Sequence, residues 1–320
     1  MDLNTTKHAV STWLREYWNR LNTGAHQPGR RLEESPIELR RETKNRPLVN
    51  LLLFVATFLT TTFAGAPEAR TLVDVFLIGM PFSITLIIIL LCHEFGHYFA
   101  ARKFGADPTL PYFIPLPLSF PSPGTMGAVI RTRTPIPSRR ALLYIGAMGP
   151  LPGFIVSLAA AIIGIYLSDI RPLPVAGSDT LVPILGDSML FRVLIQIIHG
   201  PVPAGHDLYL SQYAWAAWFG LFITSLNLMP IGQLDGSHVL YALIGGKQRL
   251  FGWAALAGLA GMAIVWPGWI VWIMLTLFLL MVAHPEIPGC ERLTMTEKAI
   301  GWSCMVILII TFIPVPLEFL

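Results

Sequence analysis

The sequence predicts an all-α polytopic membrane protein of six to seven transmembrane helices, with a short extended or re-entrant segment on the cytoplasmic side. Three observations carry this. Hydrophobic residues make up 54% of the chain and charged residues 13%, against roughly 25% charged in an ordinary soluble domain. The uncharged residues gather into runs long enough to cross roughly 30 Å of hydrocarbon, which takes about 20 residues of helix. Basic and acidic residues also segregate from one connecting loop to the next, as membrane topology requires.

Taken in chain order, residues 1–46 form a cytoplasmic N-terminal segment. Val10, Trp13, Leu14, Tyr17, Trp18 and Leu21 share one helical stripe. That pattern predicts an amphipathic helix, lying on the membrane surface or docked on the protein's own loops. Arg30, Arg31, Arg40, Arg41, Lys44 and Arg46 follow it as a topology signal. A net charge of +3 gives no reason to expect nucleic acid as a partner. The first apolar run starts only near residue 47, too late for a secretory signal peptide.

The spans are expected at 47–67, at 75–92 and beyond, and at 141–167, 209–234, 250–283 and 299–317. The loop between the second and third holds Arg102, Lys103, Arg131, Arg133, Arg139 and Arg140 against Asp107 alone, so it faces the cytoplasm. Within it, residues 109–123 are too rich in proline for a continuous helix, and residues 125–134 read as a short extended pair or an edge strand. The loop between the third and fourth runs carries Asp169, Asp179, Asp187 and Asp207 against Arg171 and Arg192, and faces outward. Run 250–283 is long for one span and slightly short for two. Trp266-Pro267-Gly268-Trp269 at its middle favours a tight reversal and a count of seven; without it the count is six. Trp215, Trp218, Trp266, Trp269 and Trp272 mark interfaces or helix packing. Cys92, Cys290 and Cys304 are odd in number and widely spaced, which argues against a disulfide framework.

Chemistry concentrates at the end of the second run, in His93-Glu94-Phe95-Gly96-His97. Residues four apart share a helix face, so both imidazoles can reach one ion. Zinc is the usual occupant of H-E-x-x-H, with the glutamate as general base. The bland reading, a set of buried core histidines, leaves Glu94 unpaired in hydrocarbon at high cost. Catalytic zinc needs a third protein ligand. Asp235 is an acid at the end of the fourth run, at the level of His97, where Pro230, Gly232 and Gly236 interrupt the helix. It is the expected third ligand; its alternative is an interfacial carboxylate facing water.

H-E-x-x-H on the second span, with Asn227-x-x-Pro230-x-x-x-Leu234-Asp235-Gly236 on a later one, resembles the site-2 protease family (M50 type) of intramembrane zinc metalloproteases. The resemblance covers most of residues 47–240 and is to the compact bacterial and plastid branch, which lacks PDZ insertions. Gly146-Ala147-Met148-Gly149-Pro150 resembles the family's small-residue signature on the intervening span. The resemblance implies a transmembrane metalloprotease domain over 47–320 with its catalytic core at about 72–245. It implies one zinc per chain on His93, His97 and Asp235, Glu94 as catalytic acid/base, and Asn227 on the substrate backbone or developing oxyanion. It also implies regulated cleavage of transmembrane proteins within the lipid bilayer, after an upstream protease has trimmed their outer part. The expected setting is a bacterial cytoplasmic (inner) membrane, with the active site towards the cytoplasm.

The chain departs from the family at Leu234-Asp235-Gly236-Ser237-His238, where a second glycine is common in place of Ser237. Ser237 puts a side chain where backbones approach closely. His238 either orients Asp235 as its outer partner or faces the interface. Gly146 and Gly149 are expected to let the third span pack against the ligand-bearing ones. The strand-like residues 125–134 either hold an unwound substrate by strand addition or cover the zinc. The rival readings are a membrane metal transporter or sensor, which should string acids and histidines along a path, and a non-proteolytic scaffold. The runs hold little beyond this cluster and Asp74.

Overall fold

A computed structural model describes residues 46–117, 122–173, 183–281 and 291–319. The N-terminal amphipathic stripe, the basic residues from Arg30 to Lys44, Asp179 and Cys290 lie outside the described residues. The chain runs through α1 (Pro47–Ala64), α2 (Leu72–Lys103), β1 (Tyr112–Pro115), β2 (Thr125–Val129), α3 (Arg139–Ala147) and α4 (Pro150–Tyr166). Then come β3 (Asp169–Pro172), β4 (Pro183–Leu185), α5 (Met189–His199), β5 (His206–Tyr209), α6 (Gln212–Asn227) and α7 (Asp235–Ile244). A short 3-10 turn leads into α8 (Gln248–Val265), α9 (Trp269–Met281), α10 (Met295–Thr311) and β6 (Leu317–Phe319).

Four helical stretches among the described residues are long and apolar enough to cross a membrane: Pro47–Ala64, Leu72–Lys103, Arg139–Tyr166 and Asp235–Val265. The protein is mostly helical and polytopic. The third of these stretches is broken where Gly149-Pro150 starts a new helix, proline being suited to a first turn because its missing donor is not needed there. Helix α2 begins on a capping box. Thr71 Oγ1 accepts from the amide of Asp74, whose carboxylate accepts from the amide of Thr71. Asp74 is therefore a helix cap, not a member of an ion path. Apolar residues surround α2 on all sides, as a helix between lipid and protein requires. Its 32 residues reach about 48 Å, so His97 lies about 9 Å short of its last residue.

The extended segment of the 102–140 loop is a hairpin. Strands β1 and β2 pair antiparallel, Tyr112 opposite Val129 and Phe113 opposite Ala128. Residues beyond β2 leave the pair, and Thr132 bridges back to Pro108. The hairpin hangs on α1. Phe113 is buried and meets Phe54 edge-on at 5.3 Å. The Asn50 amide donates to the carbonyls of Pro111 at 2.7 Å and Leu110 at 3.2 Å. Asn50→Leu strands both carbonyls, and a buried unsatisfied group costs about 1–3 kcal/mol. We expect a lowered unfolding midpoint in detergent with zinc content unchanged; a midpoint equal to wild type would show that the amide does not anchor the hairpin.

Two apolar clusters hold the helices together. One joins α2, α4, α5 and α6 through Phe82, Leu86, Ile165, Phe191, Trp218 and Leu221. The other joins α3, α7 and α10 through Leu142, Leu143, Val239, Ala242 and the free, fully buried Cys304. Arg139 and Arg140, expected only as topology signals, also tie this second cluster together. Arg139 donates to the carbonyls of Ala242 and Leu243 at the end of α7, a cation at a helix C-terminus. Arg140 pairs with Glu297 in the capping box of α10 at 2.5 Å.

The helix break at residues 266–268 is present, and α8 and α9 are separate helices. The Trp266 and Trp269 indoles donate to the carbonyls of Leu317 and Pro314, each at 2.7 Å. Trp218 does the same to Gly186 at 2.7 Å. These tryptophans pack and pin connections at the end of the bundle that carries the acidic loop.

Candidate metal centre

One helical turn of α2 presents His93 and His97 on the same face, at 5% and 7% exposure. Asp235 comes to them from the chain's other half, at the start of a helix and not at the end of the fourth run's helix. Helix α6 stops at Asn227, a turn runs through residues 228–234, and Asp235 is the first residue of α7. The turn follows from its residues. Pro230 lacks a donor for a continuing helix, and Gly232 adopts a left-handed φ of 58°. A carboxylate in the first turn of α7 is favoured by the helix dipole.

The three side chains converge. His93 Nε2 and His97 Nε2 are 3.1 Å apart, and Asp235 Oδ2 lies 3.3 Å from the first and 3.2 Å from the second. Among the described residues they form a group able to hold a metal ion. The hydrogen bonding of His97 supports that use. His97 Nδ1 lies 2.6 Å from the Ile145 carbonyl. A carbonyl only accepts, so Nδ1 carries a hydrogen, and a ring neutral at Nε2 turns that lone pair towards Asp235. Two lone pairs 3.2 Å apart repel unless a proton or a metal ion sits between them. A tetrahedral zinc with bonds of about 2.0–2.1 Å has donor atoms roughly 3.3 Å apart along each edge. The observed triangle has the size of one face of that tetrahedron, and the donor set fits zinc.

Glu94 directly follows His93 in sequence and is 5% exposed, yet its carboxylate is not in the converging group. Asn227, at the last position of α6, reaches His93 Nε2 at 3.4 Å. His238 lies on α7 beside Gly146 and is not one of the converging donors. An apolar groove of about 250 Å³ along the first half of α2, lined by Phe76, Met80, Ile84 and Tyr213 among others, offers nothing to ligate or catalyse.

One support of the centre escapes sequence reasoning and a second was legible only in part. The Ile145 carbonyl sets the His97 tautomer, and no side-chain pattern marks it. The junction of α3 and α4 also touches the centre itself: a Cβ on Gly149 would overlap the His97 imidazole, and one on Gly96 would overlap the Met148 carbonyl. The small-residue spacing Gly146, Gly149, Gly153 is the signal for this approach, and it announces closeness without naming the histidine as the neighbour.

The similarities to known proteins agree with this geometry. The chain is similar to the chloroplast "probable zinc metalloprotease EGY2" of Arabidopsis thaliana, with 28% identity over 247 residues covering 75% of this chain and 43% of the relative. It is also similar to "probable zinc metalloprotease EGY1" of Oryza sativa subsp. japonica, 28% over 211 residues, 62% and 34% respectively. The Arabidopsis EGY1 protein is 30% identical over 181 residues, 52% and 30%. The matched stretch spans less than half the length of each of these relatives. No solved structure gives a significant match. The description "Peptidase family M50" matches residues 81–266, from the first third of α2 through α8 and so across every residue of the centre, and the chain belongs to that family.

Proposed function

We propose that the protein is an intramembrane zinc endopeptidase, hydrolysing peptide bonds within or near transmembrane segments of membrane proteins. The observation that carries the reading is the donor triangle of His93, His97 and Asp235 with buried Glu94 beside it. In this reading the three hold one zinc and Glu94 stays free for proton transfer. Zinc, when bound, supplies Lewis-acid activation of water and of the scissile carbonyl. Glu94 takes a proton from the attacking water and delivers it to the leaving amine. The Asn227 amide donates to the substrate backbone or the developing oxyanion. His97 keeps its ring orientation through the Ile145 carbonyl.

A helical substrate hides its carbonyls in backbone bonds, so it has to unwind before it is cut. The β1–β2 hairpin supports this step, since an extended peptide can add to a strand edge. For topology we propose seven spans, the break at residues 266–268 supporting the seventh. The metalloprotease domain then covers 47–320, with a catalytic core at about 72–245. Arg102, Lys103, Arg131 and Arg133 follow the His97 end of α2, which supports a site towards the cytoplasmic face of a bacterial-type inner membrane. The partners proposed are a transmembrane protein substrate, the surrounding lipid and an upstream protease. The relatives that carry the zinc metalloprotease name are chloroplast proteins.

The test is the metal content of the detergent-purified chain. One zinc per chain is expected in wild type, lost or weakened in His97→Ala and Asp235→Ala and retained in Glu94→Gln. Zinc untouched by Asp235→Ala would remove the assembled site and put a transporter, sensor or scaffold ahead.

A further inference from the structure

The turn that delivers Asp235 is buried at Leu228, Met229 and Ile231, and its bonds run to an unexpected place. Met229 and Ile231 pack with Leu226, Leu259 and Trp269, so the turn is pressed against α8 and α9. Carbonyls in such a position need partners. The Met229 and Ile231 carbonyls accept backbone amides within the turn, and two more have side-chain partners. Ser237 Oγ donates to the Gly232 carbonyl at 2.6 Å, and Gln248 Nε2 donates to the Pro230 carbonyl at 2.8 Å. Gln248 Nε2 also lies 2.8 Å from Ser237 Oγ. Both side chains are buried, Ser237 completely.

The chemistry of the partners sets every direction in this chain of bonds. Pro230 and Gly232 offer carbonyls, which only accept, so the amide nitrogen of Gln248 must face Pro230 and the Ser237 hydrogen must point to Gly232. Ser237 Oγ then accepts the second hydrogen of the Gln248 amide. The two donors of one amide and the single donor of one hydroxyl are all used. The result is a closed latch spanning the turn, the first helical turn of α7 and the start of α8.

From this geometry we infer that Ser237 and Gln248 are positioning residues for the metal centre, holding the turn so that Asp235 meets the two histidines of α2. The inference rests on the reading of Asp235 as a metal ligand. It gives a use to Ser237, the position at which this chain departs from its family's glycine. It also extends the working core past residue 245 into α8. Asp235 is two residues from Ser237 and three from Gly232, whereas its partners His93 and His97 sit on another helix. A loosened turn therefore moves one corner of a donor triangle and leaves the other two in place.

The test uses the full chain loaded with cobalt(II), whose visible absorption reports ligand geometry, and follows metal loss to a chelator. Partners that orient metal ligands typically alter affinity by about 10–100-fold. Ser237→Ala and Gln248→Leu are each expected to speed metal loss by about tenfold and to change the cobalt spectrum, with overall helix content kept. The double variant is expected to match the singles, because either cut opens the latch. Should Gln248→Leu fail to accumulate, Gln248→Glu keeps the volume and still removes the donor to Pro230, with the same expected effect. Wild-type loss rates and spectra in the folded single variants, or single effects that multiply in the double, would overturn the inference. Asp235→Ala separates the two levels. If it loses the metal while the latch variants hold it, the latch alone falls. If it holds cobalt as wild type does, the ligand reading falls and the latch with it.

Discussion

Glu94→Gln is expected to slow hydrolysis of any transmembrane peptide that the wild type cleaves by about 10²–10⁴-fold, the usual contribution of a positioned acid/base. Its zinc content should stay at the wild-type level. The two expectations separate because of where the carboxylate lies. His93, His97 and Asp235 bring their donor atoms within 4.8 Å of one another, and Glu94 is not part of that set. Glutamine keeps the shape and the burial of the side chain but cannot accept a proton from water and return it to an amine. Activity within about tenfold of wild type would mean that another group moves the proton. Loss of zinc together with activity would mean that Glu94 is itself a ligand and that the three-donor assignment is wrong. The same variant, if it keeps its metal, is the form with which to trap a substrate.

How much of this was legible in the sequence depended on distance along the chain. The pairing of His93 with His97 follows from the helical period alone, since four residues bring a side chain back to the same face. Asp235 was legible because an acid is conspicuous beside a long apolar run and because Pro230 and Gly232 announce irregular backbone. What the sequence could not show was that Asp235 opens a new helix, since Pro230, Gly232 and Gly236 mark a break without telling which side of it the acid joins. The third run reads as one span, although Gly149-Pro150 carries the signature of a helix start. The strand at residues 125–129 was visible in its β-prone residues, while its partner, Tyr112–Pro115, sits in a segment whose prolines only exclude helix. Least legible were backbone partners: the Ile145 carbonyl on His97, the Pro230 and Gly232 carbonyls in the latch, the carbonyls held by Asn50 and Arg139. Every residue owns a carbonyl, so no composition or spacing distinguishes the ones in use.

Gly149→Ala is expected to weaken zinc binding by about 10²-fold, the upper range for disturbing what orients a metal ligand. An added methyl group would overlap Nε2, Cε1 and Cδ2 of His97. The ring has little freedom to yield, because its other nitrogen is bonded to Ile145, one turn earlier, in the last turn of α3. Moving away from residue 149 breaks that bond or carries Nε2 out of the donor triangle. Gly96→Ala makes a contrasting case. Its methyl would meet the Met148 carbonyl, which is backbone, so the helices themselves must separate; overpacking of this kind costs about 1–3 kcal/mol or more. The two variants should therefore differ in signature. Gly149→Ala lowers zinc affinity out of proportion to its unfolding midpoint, whereas Gly96→Ala lowers both together. Gly153→Ala supplies the graded control, since its methyl would stand 3.3 Å from His93 Cβ and Nδ1, a distance that a small shift can relieve. Isothermal titration of zinc into the metal-free variants, beside their thermal unfolding, makes the comparison. Wild-type zinc affinity in Gly149→Ala would place the His97 ring elsewhere than beside residue 149, and the triangle drawn from its Nε2 would have to be redrawn.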